Sequence, residues 1–300
     1  MLVTATACGA QTKQPAVHGK LQVVATTTIV GDVLHQIGGD QIDLDVLLPL
    51  GADPHSFNPS PKDVAKIADA DVVFANGGGL EAFLNILIES ANAESKVVYV
   101  SEGIDFLEFD GDDHGDEEEG EDHAENVDPH TWTDPNNVMV WVENILRALS
   151  KQDPRNEAYY QANAEKYDVE LKELDSWILT RVDQIPNQDR KLVTDHALFG
   201  YFVEEYGFEQ IGALIPGFST LSEPTAKELA EIEDAIQMFR VKAIFVGRTV
   251  NPSLADRVAT DTGVRLVFVY TGSLSDVEGD AATYLDYMRY NTNAFVDALK

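Results

Sequence analysis

Short apolar stretches alternate with longer segments of helical spacing along the 300 residues, in two successive series. In the first series, residues 21–29, 43–48, 71–75 and 96–100 are β-branched or apolar runs of strand length. Residues 191–194, 210–213, 243–246 and 266–270 repeat the scheme in the second. Runs that are apolar on both faces predict strands of a parallel sheet covered by helices on either side. Start signals open the helices between them. Ser60-Pro61, Asp134-Pro135 and Asn251-Pro252 place a capping side chain before a proline, whose fixed φ and missing N–H suit the first helical position. Thr225 and Glu228 form a capping box ahead of another helix.

Residues 154–185 carry no strand pattern. Tyr159, Ala162, Tyr167, Leu171, Leu174 and Ile178 recur at roughly helical spacing with charges between them. The pattern predicts one long helix joining two α/β lobes, residues 21–153 and 186–300, and a continuous helix is a stiff connector.

Composition narrows the function. With 52 acidic against 21 basic residues the formal net charge is −31, which repels phosphate backbones and excludes a nucleic-acid partner. The same charge suits a protein that attracts small cations. Twelve of the acidic residues lie in the segment 105–125, with His114 and His123 and no Lys or Arg. Such a run repels itself and is expected to form a mobile surface loop, either a solvated insert or a weak cation collector. The single cysteine, Cys8, excludes an internal disulfide and a thiolate metal site. It follows a short apolar run ending in small residues and precedes a polar stretch, so residues 1–20 resemble the tail of a bacterial lipoprotein signal with its linker. Ala5 stands where such signals usually have leucine. No stretch is long and apolar enough to span a membrane.

Three of the seven histidines share a setting. His55 lies in Gly51-Ala-Asp-Pro-His-Ser-Phe, His130 in Asp128-Pro-His-Thr-Trp, and His196 in Thr194-Asp-His-Ala-Leu-Phe-Gly-Tyr-Phe. Each follows an aspartate by one or two residues. His55 and His196 fall just past predicted strands and His130 just before a predicted helix. Open α/β sheets bind ligands at such loops, off the carboxyl ends of the strands.

These motifs, with the acidic histidine-bearing segment, resemble the solute-binding proteins of zinc and manganese ABC importers, and the likeness runs from Leu21 to Lys300. The resemblance implies two α/β lobes with mainly parallel sheets joined by a rigid helix, and a metal in the inter-lobe cleft. It implies His55 and His130 as ligands from the first lobe and His196 from the second. It implies further an extracytoplasmic monomer, lipid-anchored through Cys8, that delivers its metal to a membrane permease. Three imidazoles favour Zn²⁺ over Mn²⁺, which prefers oxygen donors. Asp53, Asp128 and Asp195 are candidates to accept each ring's other N–H. Because neutral imidazole binds metal, three protons are expected to compete with zinc as pH falls from about 7 to 5.

Two positions depart from the family pattern. Gly247 stands where many members have an acidic residue, and Gly272 stands where many have an aspartate ligand. The fourth donor is left open among water, Asp276, Glu278, His114 and His123. Other readings differ in class. A three-histidine zinc hydrolase would need a general base, and no HExxH motif supplies one. A surface adhesin could share the fold. Nucleotide binding rests only on Gly77-Gly-Gly79, which lacks the spacing of a dinucleotide fingerprint.

Overall fold

The computed structural model describes residues 19–108 and 127–300. Cys8, His114, His123 and most of the acidic segment lie outside the described residues.

Four strands form the first sheet: β1 (Leu21–Ala25), β2 (Ile42–Val46), β3 (Val72–Ala75) and β4 (Val97–Tyr99), all parallel, in the order β2-β1-β3-β4. The second repeats it with β5 (Lys191–Thr194), β6 (Glu209–Ala213), β7 (Ala243–Gly247) and β8 (Arg265–Val269) in the order β6-β5-β7-β8. Each order reverses beside its first strand in sequence, and the crevice at such a reversal is where open α/β sheets bind ligands.

Alternation along the strands separates two faces. Val24, Val73 and Ala75 pack outward against α2 (Pro61–Asp69) and α3 (Leu84–Ala91). Val193, Ile244 and Val246 do the same beneath α7 (Ala226–Phe239) and α8 (Ser253–Thr262). Val23, Ala25, Val72 and Phe74 point the other way, as do Leu192, Ala243 and Phe245, and all enter one continuous core. That core runs through α1 (Thr28–Gly38), α4 (Pro135–Gln152), α5 (Glu157–Val182), α6 (Gly200–Tyr206) and α9 (Tyr284–Leu299), so the two lobes share it.

The long helix α5 has 26 residues, about 39 Å at 1.5 Å per residue. It buries Tyr160, Ala164, Tyr167, Leu171, Leu174, Ile178 and Val182, a stripe stepping by three or four. Tyr159 and Ala162, which the sequence pattern put on this face, are exposed. Counting back from Tyr167 in steps of three and four gives 164 and 160, and the alternative tyrosine lies one residue off the stripe. The first strand also ends earlier than its apolar run: Thr27 caps α1 by accepting the Val30 N–H, so Thr28 and Ile29 are helical. Pro61, Pro135 and Thr225 sit at helix starts as their signals require, and α8 begins one residue after Pro252. Among the described residues no helix is long and apolar enough to cross a membrane.

Candidate metal centre

Loops at the carboxyl ends of the strands bring His55, His130 and His196 together, each offering a ring nitrogen within 4.8 Å of the others. The rings meet edge to face, with centroids 5.2–5.5 Å apart. His55 Nε2 and His130 Nε2 are 3.1 Å apart. Nitrogens arranged tetrahedrally at zinc, each about 2.0–2.1 Å from it, lie about 3.3 Å from one another. The cluster therefore has the size of a single ion.

His130 is held from several sides. The segment before it is tied to the first sheet by Asn76, at the end of β3, whose Nδ2 donates to Pro129 O at 2.8 Å. Asn76 N and Gly77 N in turn donate to the buried Glu81 carboxylate. Gly77, Gly78 and Gly79 all have positive φ. A Cβ on Gly78 would meet Pro129 Cα at 3.2 Å, so the glycine turn lets the His130 segment approach. This is a structural role for the triplet and not a phosphate cradle. After His130, residues 131–133 make a 3₁₀ turn, and Asp134 caps α4. The ring's Nδ1 donates to Asp128 Oδ1 at 2.7 Å.

His196 follows β5 and is held the same way. Its Nδ1 and its backbone N–H both donate to Asp195 Oδ1 at 2.7 Å, and Gly247 N donates to Asp195 Oδ2 at 2.6 Å. A Cβ on Gly247 would come within 2.9 Å of that oxygen and 2.4 Å of Thr271 Oγ1, so close approach requires glycine here. A ring whose Nδ1–H is committed to a carboxylate presents the Nε2 lone pair to the centre.

His55 differs. Asp53, expected from its spacing to accept the ring N–H, accepts the His55 backbone N–H instead, at 3.1 Å. His130 and His196 are 1% and 3% exposed, while His55 is only partly buried. Burial, reinforced by the other two rings, pushes the His55 pKa down to about 3. Burial likewise holds His130 well below its ordinary 6.5. Burial also raises the Asp128 carboxyl to about 8. Its Oδ2 has no hydrogen-bond partner among the described residues. At neutral pH His55 and His130 are thus neutral imidazoles, and the Asp128–His130 pair retains a proton on the acid.

Gly272 lines the same small cavity, with Pro54, Thr249 and Thr271. A Cβ at 272 would lie 2.5 Å from Pro54 Cδ. The loop after β8 does reach the cluster, but packed so closely that the chain has no space for a side chain there. Asp276 and Glu278 are exposed and do not line this cavity. Three supporting groups escape the sequence motifs: Asn76, Thr220, whose hydroxyl donates to Asp53, and Tyr287, which accepts from Trp132 Nε1 at 3.1 Å. Each acts across a long sequence separation, and only the glycine triplet 77–79 marked the region of the first.

Two lobes with a histidine cluster closing between them define a binding protein that encloses a metal ion. The chain belongs to the family described as "Zinc-uptake complex component A periplasmic", whose profile matches residues 23–298. It is 35% identical over 297 residues to the manganese-binding lipoprotein MntA of Halalkalibacterium halodurans, covering 98% of this chain and 94% of that one. Its structure is similar to the periplasmic zinc-binding protein TroA from Treponema pallidum, with a TM-score of 0.84 and 26% identity over 94% of this chain and 99% of that one. The Mn-bound periplasmic metal-binding protein from Candidatus Liberibacter asiaticus gives 0.80 and 27%, over 94% of this chain and 100% of that one. The chain is accordingly an extracytoplasmic, metal-binding substrate-binding protein of an ABC importer and not an enzyme.

Proposed function

We propose that this protein captures Zn²⁺ through His55, His130 and His196 and hands it to its permease. Among the described residues three imidazoles converge with no carboxylate, and this carries the reading, because an all-nitrogen donor set suits zinc and lacks the oxygen donors Mn²⁺ prefers. The fourth position is assigned to water, since among the described residues Gly272 offers no donor and Asp276 and Glu278 are turned to solvent. Delivery from a membrane anchor at Cys8, with residues 1–20 as signal remnant and linker, belongs to the same reading. So do the lobe boundaries at 153 and 186, around the connecting helix.

A manganese-capturing role is the second reading, favoured by the name of the 35% identical MntA. Elemental analysis of protein purified without chelator, followed by zinc and manganese titrations in competition, separates the two. One zinc per chain, bound at least a hundredfold more tightly than manganese, is the expected result. Equal or tighter manganese binding overturns it.

A further inference from the structure

The loop that carries His55 is clasped from the second lobe at three points. Gly51 N donates to Ser273 Oγ at 2.8 Å, Pro54 packs on Gly272, and Thr220 Oγ1 donates to Asp53 Oδ2 at 2.5 Å. The third differs in kind from the other two. It is a hydroxyl–carboxylate bond, about twice as strong as a neutral pair, and it joins the rims of the two lobes directly. Asp53 is well placed to transmit it, since its Oδ1 accepts the His55 N–H and its Oδ2 also accepts Ser56 Oγ.

On the other side, Thr220 sits in the loop after β6. That loop is tied to the His196 segment, with Ile215 N donating to Asp195 O at 2.7 Å and Ala197 N to Gly217 O at 3.1 Å. Two of these bonds anchor the 215–220 loop beside His196, and its backbone carries Thr220 to Asp53, whose other oxygen holds the His55 N–H. His130 and His196 each have a buried carboxylate on the ring, and neither depends on this linkage for its orientation.

We propose that the Thr220–Asp53 bond is a latch that sets how long the bound metal stays, by holding the His55 loop over the site. The proposal rests on the three-histidine reading above. Thr220 is a positioning residue, since it acts on the metal only through Asp53 and His55. With the latch open, residues 51–57 are free to lift His55 away while the other two imidazoles keep their hold. The metal then leaves by the cleft rim.

The test uses the full chain loaded with zinc, with release followed by stopped-flow capture in an excess of chromophoric chelator. Thr220→Val keeps the shape and removes the donor. Losing a hydrogen bond to a charged group corresponds to roughly a tenfold to hundredfold change, expected here in the dissociation rate. Association should change by less than about threefold, following the usual pattern for contacts broken on leaving. Thr220→Ser, which keeps the hydroxyl, should release zinc at the wild-type rate and melt at the wild-type temperature without metal. A Thr220→Val release rate within twofold of wild type overturns the latch alone. So does a faster rate accompanied by a lower metal-free melting temperature that Thr220→Ser fails to restore. A wild type that takes up neither zinc nor manganese overturns the three-histidine reading, and the latch with it.

Discussion

Two of the ligand candidates sit in the same tripeptide, Asp53-Pro54-His55 and Asp128-Pro129-His130, yet the two aspartates do different work. In both, the aspartate accepts the backbone N–H of the histidine two residues on. Asp128, buried and with no competing donor on its second oxygen, also takes the ring N–H of His130. Asp53 lies at the cleft rim, where the hydroxyls of Ser56 and Thr220 occupy its other oxygen. Surroundings decide which donor a carboxylate serves, and the local sequence does not. The outcome is a site with two candidate ligands fixed by their rings and a third fixed by its loop.

The largest test of that contrast removes the rings. His130→Ala and His196→Ala should each weaken zinc binding by about a thousandfold or more, roughly 4 kcal/mol. His55→Ala should cost about ten- to a hundredfold, because water reaches its place at the rim. Equal losses at all three positions in a zinc titration would erase the distinction. One step smaller, Asp128→Asn and Asp195→Asn should each cost about 10–100-fold, the usual effect of disturbing a ligand's hydrogen-bond partner. Asp53→Asn should cost about tenfold, through faster zinc release, because its oxygens hold the His55 loop and not the ring.

The pH dependence sharpens the same point. The sequence leads to three protons competing with zinc between about pH 7 and 5. In the structure, the His55 pKa is about 3 and that of His130 lies well below 6.5, so these rings are already deprotonated across that range. Asp128, raised to about 8, still holds a proton there and must release it when a cation binds His130. The sign follows: lowering pH keeps that proton on the acid and weakens binding. Asp128 alone accounts for a fall of about tenfold per pH unit and about one proton released per zinc at pH 7, measured by calorimetry in buffers of different ionisation enthalpy. A thousandfold fall per unit would restore the three-proton picture.

The smallest effect is expected at Gly272. Gly272→Ala forces a methyl against Pro54, and such overpacking costs about 1–3 kcal/mol, read as a melting temperature lower by a few degrees. An unchanged melting temperature would mean that the loop yields freely, leaving room there for a fourth side-chain donor.

Much of the fold was legible because the central strands β3 and β7 are buried on both faces and α2, α4, α7 and α8 start at a proline or a capping box. Both signals are local. The three histidines were legible through their motifs, but two details were not. The carboxylate partners of the rings depend on burial, which separates Asp128 from Asp53 within one tripeptide. The closeness of Gly272 to Pro54 is set by packing between residues more than two hundred positions apart. No local pattern encodes Thr220 or Tyr287, whose partners lie 167 and 155 positions away in sequence.

The core common to both lobes bears on how the chain acquires its structure during synthesis. Helix α9 emerges after every other element described, yet its residues finish the work of the earliest ones. Tyr284 N donates to Asp32 of α1, and Tyr284 OH donates to Trp132 O beside His130. Phe295 packs edge-on against Phe199 and Phe245 of the second lobe. A nascent chain lacking this helix has its first sheet built but the inner face incompletely covered, with apolar side chains open to water or to other chains. Assembly of the binding cleft is therefore a late event, and the partly made chain is the stage at which protection from aggregation matters most.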